Sequence, residues 1–250
     1  MKLVTFNIRL DRGWDGNNNF CFRKDLILKK IRTEEPDIIC FQEVLPHVAL
    51  WLKDSLKKYY VVGCPRGADL QDEQTCVAFL PEKFNLMKLD SYWLSPTPYV
   101  PGSRYEVQSP CPRICTEVTL HQLSTNKVFR LTNTHLDHEG QPARMLGIHQ
   151  ILNKMNREPF FRDVPSILTG DMNAEPDSEE IRFLSAQAGM QDLTAGIGGT
   201  YHAFGQVDPI QIDYIFAAGA VRCSHVQKWT DCENGVYLSD HYPVCVEIEL

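Results

Sequence analysis

The chain has 250 residues, 43% of them hydrophobic, and a formal net charge of −7. That is ample apolar material for one large core, yet no run approaches the roughly 20 apolar residues of a membrane span. A protein that grips long duplex DNA ordinarily carries a basic face, because phosphate neutralisation supplies most of the affinity, and no Lys/Arg cluster stands out here beyond Lys29-Lys30 and Lys57-Lys58.

In chain order, residues 3–6 read as a first strand that ends at Asn7, followed by a Gly- and Asn-rich loop over 13–19. Residues 23–35 carry helical spacing, with Leu26, Ile27 and Ile31 on one face. A short apolar strand over 38–41 ends in Gln42-Glu43, and 46–56 reads as a second helix. Residues 75–80 and 84–89 form two further strands. The stretch 95–113 holds five prolines and little periodicity, and a loop that long in a compact domain is more often functional than idle. Residues 114–120 and 128–132 alternate as an antiparallel pair, the second leading into Asn133-Thr134-His135-Leu136-Asp137. A helix over 142–157 precedes the strand 166–173, whose end is Gly170-Asp171-Met172-Asn173. A helix starts at Asp177-Ser178-Glu179-Glu180 and stops near Gly189. An irregular stretch over 192–208 precedes a strand over 212–216, and the chain closes with Ser239-Asp240-His241 and a strand over 244–250. Interspersed strands and helices, without repeats or a linker, predict a single α/β domain over 1–250, with mixed sheets covered by helices.

Nine scattered cysteines without a CxxC pair argue against a zinc site or a disulfide framework. The N-terminus turns polar too soon for a secretory signal, which points to the cytoplasm, a cleaved leader aside.

Nearly every long strand carries a polar residue at one end. Asn7, Glu43, His135 with Asp137, and Asp171 with Asn173 follow their strands, whereas Asp213 and Asp240-His241 precede theirs. If the last strands run opposite to the earlier ones, all these groups gather along one edge. The ordered series Thr5-Phe6-Asn7, Phe41-Gln42-Glu43-Val44, Asn133-Thr134-His135-Leu136-Asp137, Gly170-Asp171-Met172-Asn173, Ile212-Asp213-Tyr214-Ile215 and Ser239-Asp240-His241-Tyr242-Pro243 resembles the endonuclease/exonuclease/phosphatase superfamily. The resemblance implies a DNase I-like four-layer α/β sandwich, with two central mixed sheets flanked by helices. It also implies a divalent metal, Mg2+ or alternatively Mn2+, and hydrolysis of phosphate esters.

Such chemistry needs a bound anion, an activated water and a stabilised leaving group, and a hard cation with oxygen ligands serves the first and last. In this setting Glu43 is the leading metal ligand. Asn7 offers a neutral oxygen to the metal or an N–H to the phosphate, and Asp240 is a further carboxylate near the metal. Asp213 and His241 are the expected carboxylate–imidazole pair, the histidine serving as a base or as a cationic phosphate clamp. Asp171 is the alternative water-activating base, with Asn173 orienting water or phosphate. His135 would donate to a non-bridging phosphate oxygen. Arg113 and Arg144 are expected to fork onto a phosphate, and Tyr201 and His202 to form a wall against a base or sugar. Trp14 is a candidate rim aromatic, Trp93 a core residue. One departure stands out: where abasic-site endonucleases carry an acid two places after the asparagine, this chain has Arg9, which puts a second metal in doubt. The expected function is a metal-dependent phosphodiesterase or phosphatase acting on a phosphorylated small molecule or single-stranded nucleic acid, duplex DNA being less expected. The alternatives are a nuclease with a local basic groove and a non-catalytic phosphate-binding module.

Overall fold

A strand buried on both faces must be apolar at successive positions, because neighbouring side chains point opposite ways. The structure, a computed structural model, describes residues 1–157, 164–187 and 189–250. Its elements in chain order are β1 (Lys2–Asn7), α1 (Phe20–Glu34), β2 (Ile38–Val44), α2 (Pro46–Ser55), β3 (Tyr60–Val62), β4 (Gln74–Phe79), β5 (Phe84–Trp93), β6 (Ile114–Gln122) and β7 (Lys127–His135). Then come α3 (Gln141–Arg157), β8 (Ser166–Asp171), α4 (Glu179–Ser185), β9 (Met190–Asp192), β10 (Asp213–Ala218), β11 (Arg222–Lys228), the short hairpin β12 (Cys232–Glu233) and β13 (Val236–Tyr237), and β14 (Val244–Glu249).

Two mixed sheets result, ordered β11-β14-β1-β2-β4-β3 and β5-β6-β7-β8-β10-β9. Alternation sorts their side chains into three cores. Val4, Phe6, Ile39 and Phe41 face α1 and α2, meeting Ile27, Ile31, Val48 and Leu52. Leu3, Ile38, Cys40, Val118, Leu131, Ile167 and Ile215 fill the space between the sheets. Leu168, Tyr214 and Phe216 face Ile148, Ile151, Ile181 and Leu184 on α3 and α4. These are the four layers that the resemblance implies.

Towards one end the middle core turns polar. Gln42 Nε2 donates to Asn133 Oδ1 at 2.7 Å across the sheets, and Asn133 Nδ2 donates to the carbonyls of Phe41 and Cys76, both at 2.9 Å. These bonds tie β2 and β4 to β7 directly below the strand ends. At the same level Gly170 adopts φ +144°, and a Cβ there would lie 1.9 Å from the Thr134 carbonyl. β7 and β8 approach so closely that this position admits only glycine.

Several strands depart from the sequence expectation. β11 is an edge strand with half-exposed polar side chains, so it has no apolar periodicity to betray it. β3, β9 and the hairpin are two or three residues long. β5 continues to Trp93, past the expected end at 89, because its partner β6 runs opposite it the whole way. Among the described residues no helix is long and apolar enough to cross a membrane.

Candidate active site

β1 and β2 run parallel, as do β7 and β8, so their last residues emerge at the same edge. β10 runs antiparallel to β8 with Asp213 opposite Asp171, and β14 runs antiparallel to β1 with Val244 opposite Thr5. Residues before β10 and β14 therefore meet residues after β1 and β8, as the chain order suggested.

Asn7 lies at the centre. Its Nδ2 donates to Glu43 Oε1 and to Asp171 Oδ2, both at 3.0 Å, and sits 3.4 Å from His241 Nε2. Its Oδ1 accepts the Arg9 N–H at 3.0 Å, so in this rotamer the amide presents N–H groups to the carboxylates. The other Glu43 oxygen accepts the Leu10 N–H at 2.8 Å. Asp171 Oδ2 is 3.6 Å from His135 Nε2 and 3.9 Å from His241 Nε2, and His241 Nδ1 is 2.8 Å from Asp213 Oδ2.

Three of the residues here hold left-handed backbone: Arg9 (φ 62°), Glu43 (φ 59°) and Asn173 (φ 47°). Such conformations cost roughly 1–3 kcal/mol each and cluster at functional sites. Glu43 has a visible cause, because the β2–β4 register slips between Phe41 and Val44, a bulge that re-aims the side chain. Asn173 does not continue the strand. Its N–H donates to Asp171 Oδ1 at 2.9 Å, and its Nδ2 donates to the Leu136 carbonyl at 3.1 Å, so it braces Asp171 rather than extending beside it.

The charges are set by neighbours. Burial alone would lower the His241 pKa, but the facing Asp213, then Asp240 and Asp171, raise it to about 10. His135 goes the other way: burial, then Arg113 and Arg66, hold it well below the usual range and therefore neutral. Burial and the nearby Asp213 push the Asp171 carboxyl up to about 7. Burial opposes ionisation of Glu43, but the Asn7 hydrogen bond and the His241 charge prevail and lower its pKa.

Above this floor opens a cleft of about 940 Å³ lined by Glu43, His135, Asp171, Asn173, Tyr201, Asp240, His241 and five arginines. The family model described as the endonuclease/exonuclease/phosphatase family matches residues 4–241, which spans every one of these groups. The chain belongs to this family. An endonuclease/exonuclease/phosphatase from Bacteroides vulgatus is 28% identical in sequence, superposes with a TM-score of 0.93, and covers 100% of this chain and 98% of its own. A Bacteroides thetaiotaomicron mannosyl-6-phosphatase shares the fold at 24% identity and a TM-score of 0.90, with 100% of both chains covered. The Drosophila melanogaster protein angel is 24% identical over 81% of this chain, which spans only 60% of that protein's length.

The family's characteristic divalent ion has a plausible chemistry of donors here. Among the described residues two groups place ligand atoms within 4.8 Å of one another: Glu43, His135 and Asp171, and Asp171, Asp213 and His241. The second is consumed internally by the Asp213–His241 pair. In the first, Glu43 and Asp171 are the hard oxygen donors that magnesium favours, whereas an imidazole suits softer metals. Asn7 would offer its oxygen only if the amide turned over. Asp240 lies outside both groups, with its Oδ2 3.5 Å from Arg9 Nη1.

Some expected residues are placed differently. His202 does not line the cleft: adjacent residues of an extended segment face opposite ways, and while Tyr201 points in, His202 is buried and stacks on Tyr242 with ring centroids 3.8 Å apart. Its Nδ1 accepts the Gly205 N–H at 2.9 Å. Arg144 reaches the cleft edge, but its guanidinium donates to Glu180 at 2.5 Å and to the Asp137 carbonyl at 3.1 Å. Asp137 braces the neighbouring loop through Ser109 and the Gly140 N–H. Trp93, by contrast, packs in the interior as expected, donating to the Arg66 carbonyl.

Three residues carried no sequence signal. Arg66 and Glu73 line the cleft from the loop before β4, paired at 2.8 Å. Buried Arg23 donates to the carbonyls of Asn18, Ile8, Leu238 and Arg9, and so fastens the loop that follows Asn7 to the one that leads to Asp240. A loop arginine and a helix arginine look the same in sequence whether they face water or carbonyls.

Proposed function

We propose that the protein is a magnesium-dependent phosphoesterase acting on a small, hydroxylated phosphate ester. The observation that carries this reading is the single Asn7 amide holding Glu43 and Asp171 together, with neutral His135 on one side and cationic His241 on the other. A cation held by Glu43, with the Asn7 amide turned over to offer its oxygen, would supply Lewis-acid polarisation of the phosphoryl group. His241, kept charged by Asp213, donates to a phosphoryl oxygen and has no capacity left to accept a proton. Asp171, whose Oδ2 faces the same space, then orients and deprotonates the attacking water, and Asn173 holds Asp171 in place. His135 donates to a non-bridging oxygen as charge develops there. Arg9 beside Asp240 places a permanent positive charge where a second metal would need an acid, which favours one ion.

The cleft's charge supports the substrate class. Each of its five arginines (Arg9, Arg12, Arg66, Arg113 and Arg144) has a carboxylate within 4.0 Å. Seven carboxylates line the same space: Glu43, Asp72, Glu73, Asp171, Glu175, Asp177 and Asp240. A long phosphodiester chain finds no basic track there. Trp14, 74% exposed, and Tyr201 offer ring faces, and Glu175 and Asp177 offer acceptors for hydroxyl groups, an arrangement that suits a sugar-like leaving group. The mannosyl-6-phosphatase of the same fold is consistent with this. Single-stranded nucleic acid is the second reading, favoured by the same two aromatics, on which bases could stack.

Glu43→Gln is the test of the metal role. Even second-sphere changes at metal sites weaken binding by about 10–100-fold, so loss of this ligand is expected to reduce magnesium affinity by about 100-fold or more in calorimetric titration. Wild-type affinity together with retained turnover of bis-p-nitrophenyl phosphate would remove Glu43 from the metal site.

A further inference from the structure

We infer that Arg9 is a further catalytic residue, whose guanidinium donates to the leaving-group oxygen as the ester bond breaks. The inference rests on the phosphoesterase reading above and adds the side of the phosphate from which the alcohol departs. Contacts across the cleft floor form a row. The Leu10 N–H donates to Glu43 Oε2 at 2.8 Å, Asn7 Nδ2 donates to Glu43 Oε1 at 3.0 Å, and the same Nδ2 donates to Asp171 Oδ2 at 3.0 Å. Arg9 and Leu10 close one end of this row and Asp171 the other, with Glu43 and Asn7 between them.

The Arg9 side chain is pinned with one nitrogen to spare. A left-handed backbone (φ 62°) sends its N–H to Asn7 Oδ1 at 3.0 Å and places its side chain on the cleft wall. Nε and Nη2 grip Asp15 as a fork, at 3.2 and 3.1 Å. Asp15 is itself fixed, its N–H donating to Asn19 Oδ1 at 2.9 Å and its carbonyl accepting the Asn18 N–H at 2.8 Å. Nη1 makes no hydrogen bond among the described residues, and Asp240 Oδ2 stands 3.5 Å from it. The other cleft arginines lack this combination. Arg144 is spent on Glu180 and the Asp137 carbonyl, Arg66 on Asp72 and Glu73, Arg113 is buried, and Arg12 has only Asp72, at 3.6 Å and without a fork.

Water placed by Asp171 attacks phosphorus from the Asp171 end of the row. In an in-line displacement the departing oxygen points the opposite way, past Glu43 towards Arg9. As the new P–O bond forms, a proton of the water passes to Asp171. As the old P–O bond breaks, its electron pair goes to the leaving oxygen, where negative charge gathers. Arginine does not give up a proton in proteins, so Arg9 serves that oxygen as a charged hydrogen-bond donor and remains a cation, and the departing alkoxide takes its proton from solvent water. Asp240, beside Nη1, keeps that nitrogen turned to the cleft. Trp14, from the same loop as Arg9, lines the cleft on this side and offers its ring to the body of the alcohol.

The experiment compares phenyl phosphate with p-nitrophenyl phosphate, and methyl phenyl phosphate with methyl p-nitrophenyl phosphate, on the magnesium-loaded wild type, Arg9→Gln and Arg9→Lys. The nitro group takes up the charge of the departing oxygen, so a donor to that oxygen matters more for the phenyl esters. Arg9→Gln is expected to lower kcat/KM for a phenyl ester by about 10–100-fold, the range of a lost charged hydrogen bond, and for the matching p-nitrophenyl ester by less than about fivefold. Arg9→Lys, which keeps the charge without the fork, should fall between wild type and Arg9→Gln, and the same comparison on it decides the matter if the glutamine variant does not fold. Magnesium affinity in calorimetric titration should be no weaker in Arg9→Gln than in wild type, because a positive charge near Glu43 is removed. Equal losses on phenyl and p-nitrophenyl esters, or weakened magnesium binding, overturn the inference, make Arg9 a structural residue and leave the hydrolase reading standing. No wild-type turnover of any of the four esters overturns both.

Discussion

Asp171→Asn is expected to lower kcat by about 10³–10⁴-fold on any phosphate ester the protein hydrolyses, the upper part of the range for loss of a positioned general base. The substitution is nearly isosteric, and its carbonyl oxygen can still accept from the Asn173 N–H. It removes the charge that faces Asn7, His135 and His241 and, with Oδ2, the acceptor of the Asn7 Nδ2 hydrogen bond. Stability should not suffer. The folded-state pKa of Asp171 lies near 7, above the ordinary 3.8, because burial and then Asp213 penalise the anion. A raised carboxyl pKa gives stability that is complete below the ordinary value and is lost as the pH rises through 7. Asparagine mimics the neutral form, so thermal unfolding in chelator at neutral pH should show a midpoint no lower than wild type. Near-wild-type turnover in this variant would take Asp171 out of the mechanism, and turnover lost together with the fold would leave its role undemonstrated in favour of a structural one.

Asp213→Asn should act through His241. The ring lies 2.8 Å from Asp213 and is held cationic chiefly by that carboxylate. Without the charge, burial dominates, and the imidazole pKa is expected to fall from about 10 to at or below the ordinary histidine value of about 6.5. The phosphate clamp is then neutral at pH 7, and kcat should drop by about 10²–10³-fold, in keeping with loss of a transition-state donor. Imidazole nitrogen shifts in a pH titration read the change directly. A histidine that still titrates near 10 in Asp213→Asn would show that Asp213 does not set its charge.

The residues legible in the sequence share one property: they stand at strand ends, where strand period and direction decide the outcome. Asn7, His135, Asp171 and Asp213 needed only the parallel β1–β2 and β7–β8 pairs and the antiparallel return of β10. Glu43 lines the cleft, yet its direction depends on a bulge and a left-handed φ that no pattern announces. Arg66 and Glu73 come from a loop whose path is set by Trp93 and the proline-rich 95–113 stretch, contacts distant in sequence. His202 illustrates the opposite error. Its sequence neighbour Tyr201 reaches the cleft, and it is this adjacency that turns His202 away. Mixed sheets covered by helices were legible because short apolar runs such as that over 38–41 mark the central strands, and the four layers were implied by the family resemblance, whereas the polar edge strand β11 satisfies its backbone without such a signature.

The account stands most directly on release of inorganic phosphate from a broad panel of phosphate esters, sugar monophosphates and single-stranded oligonucleotides among them, measured with magnesium and again with EDTA. It predicts turnover of small hydroxylated phosphate esters that is abolished by EDTA and restored by added magnesium. Turnover indifferent to EDTA, or none across the panel in magnesium, would contradict it.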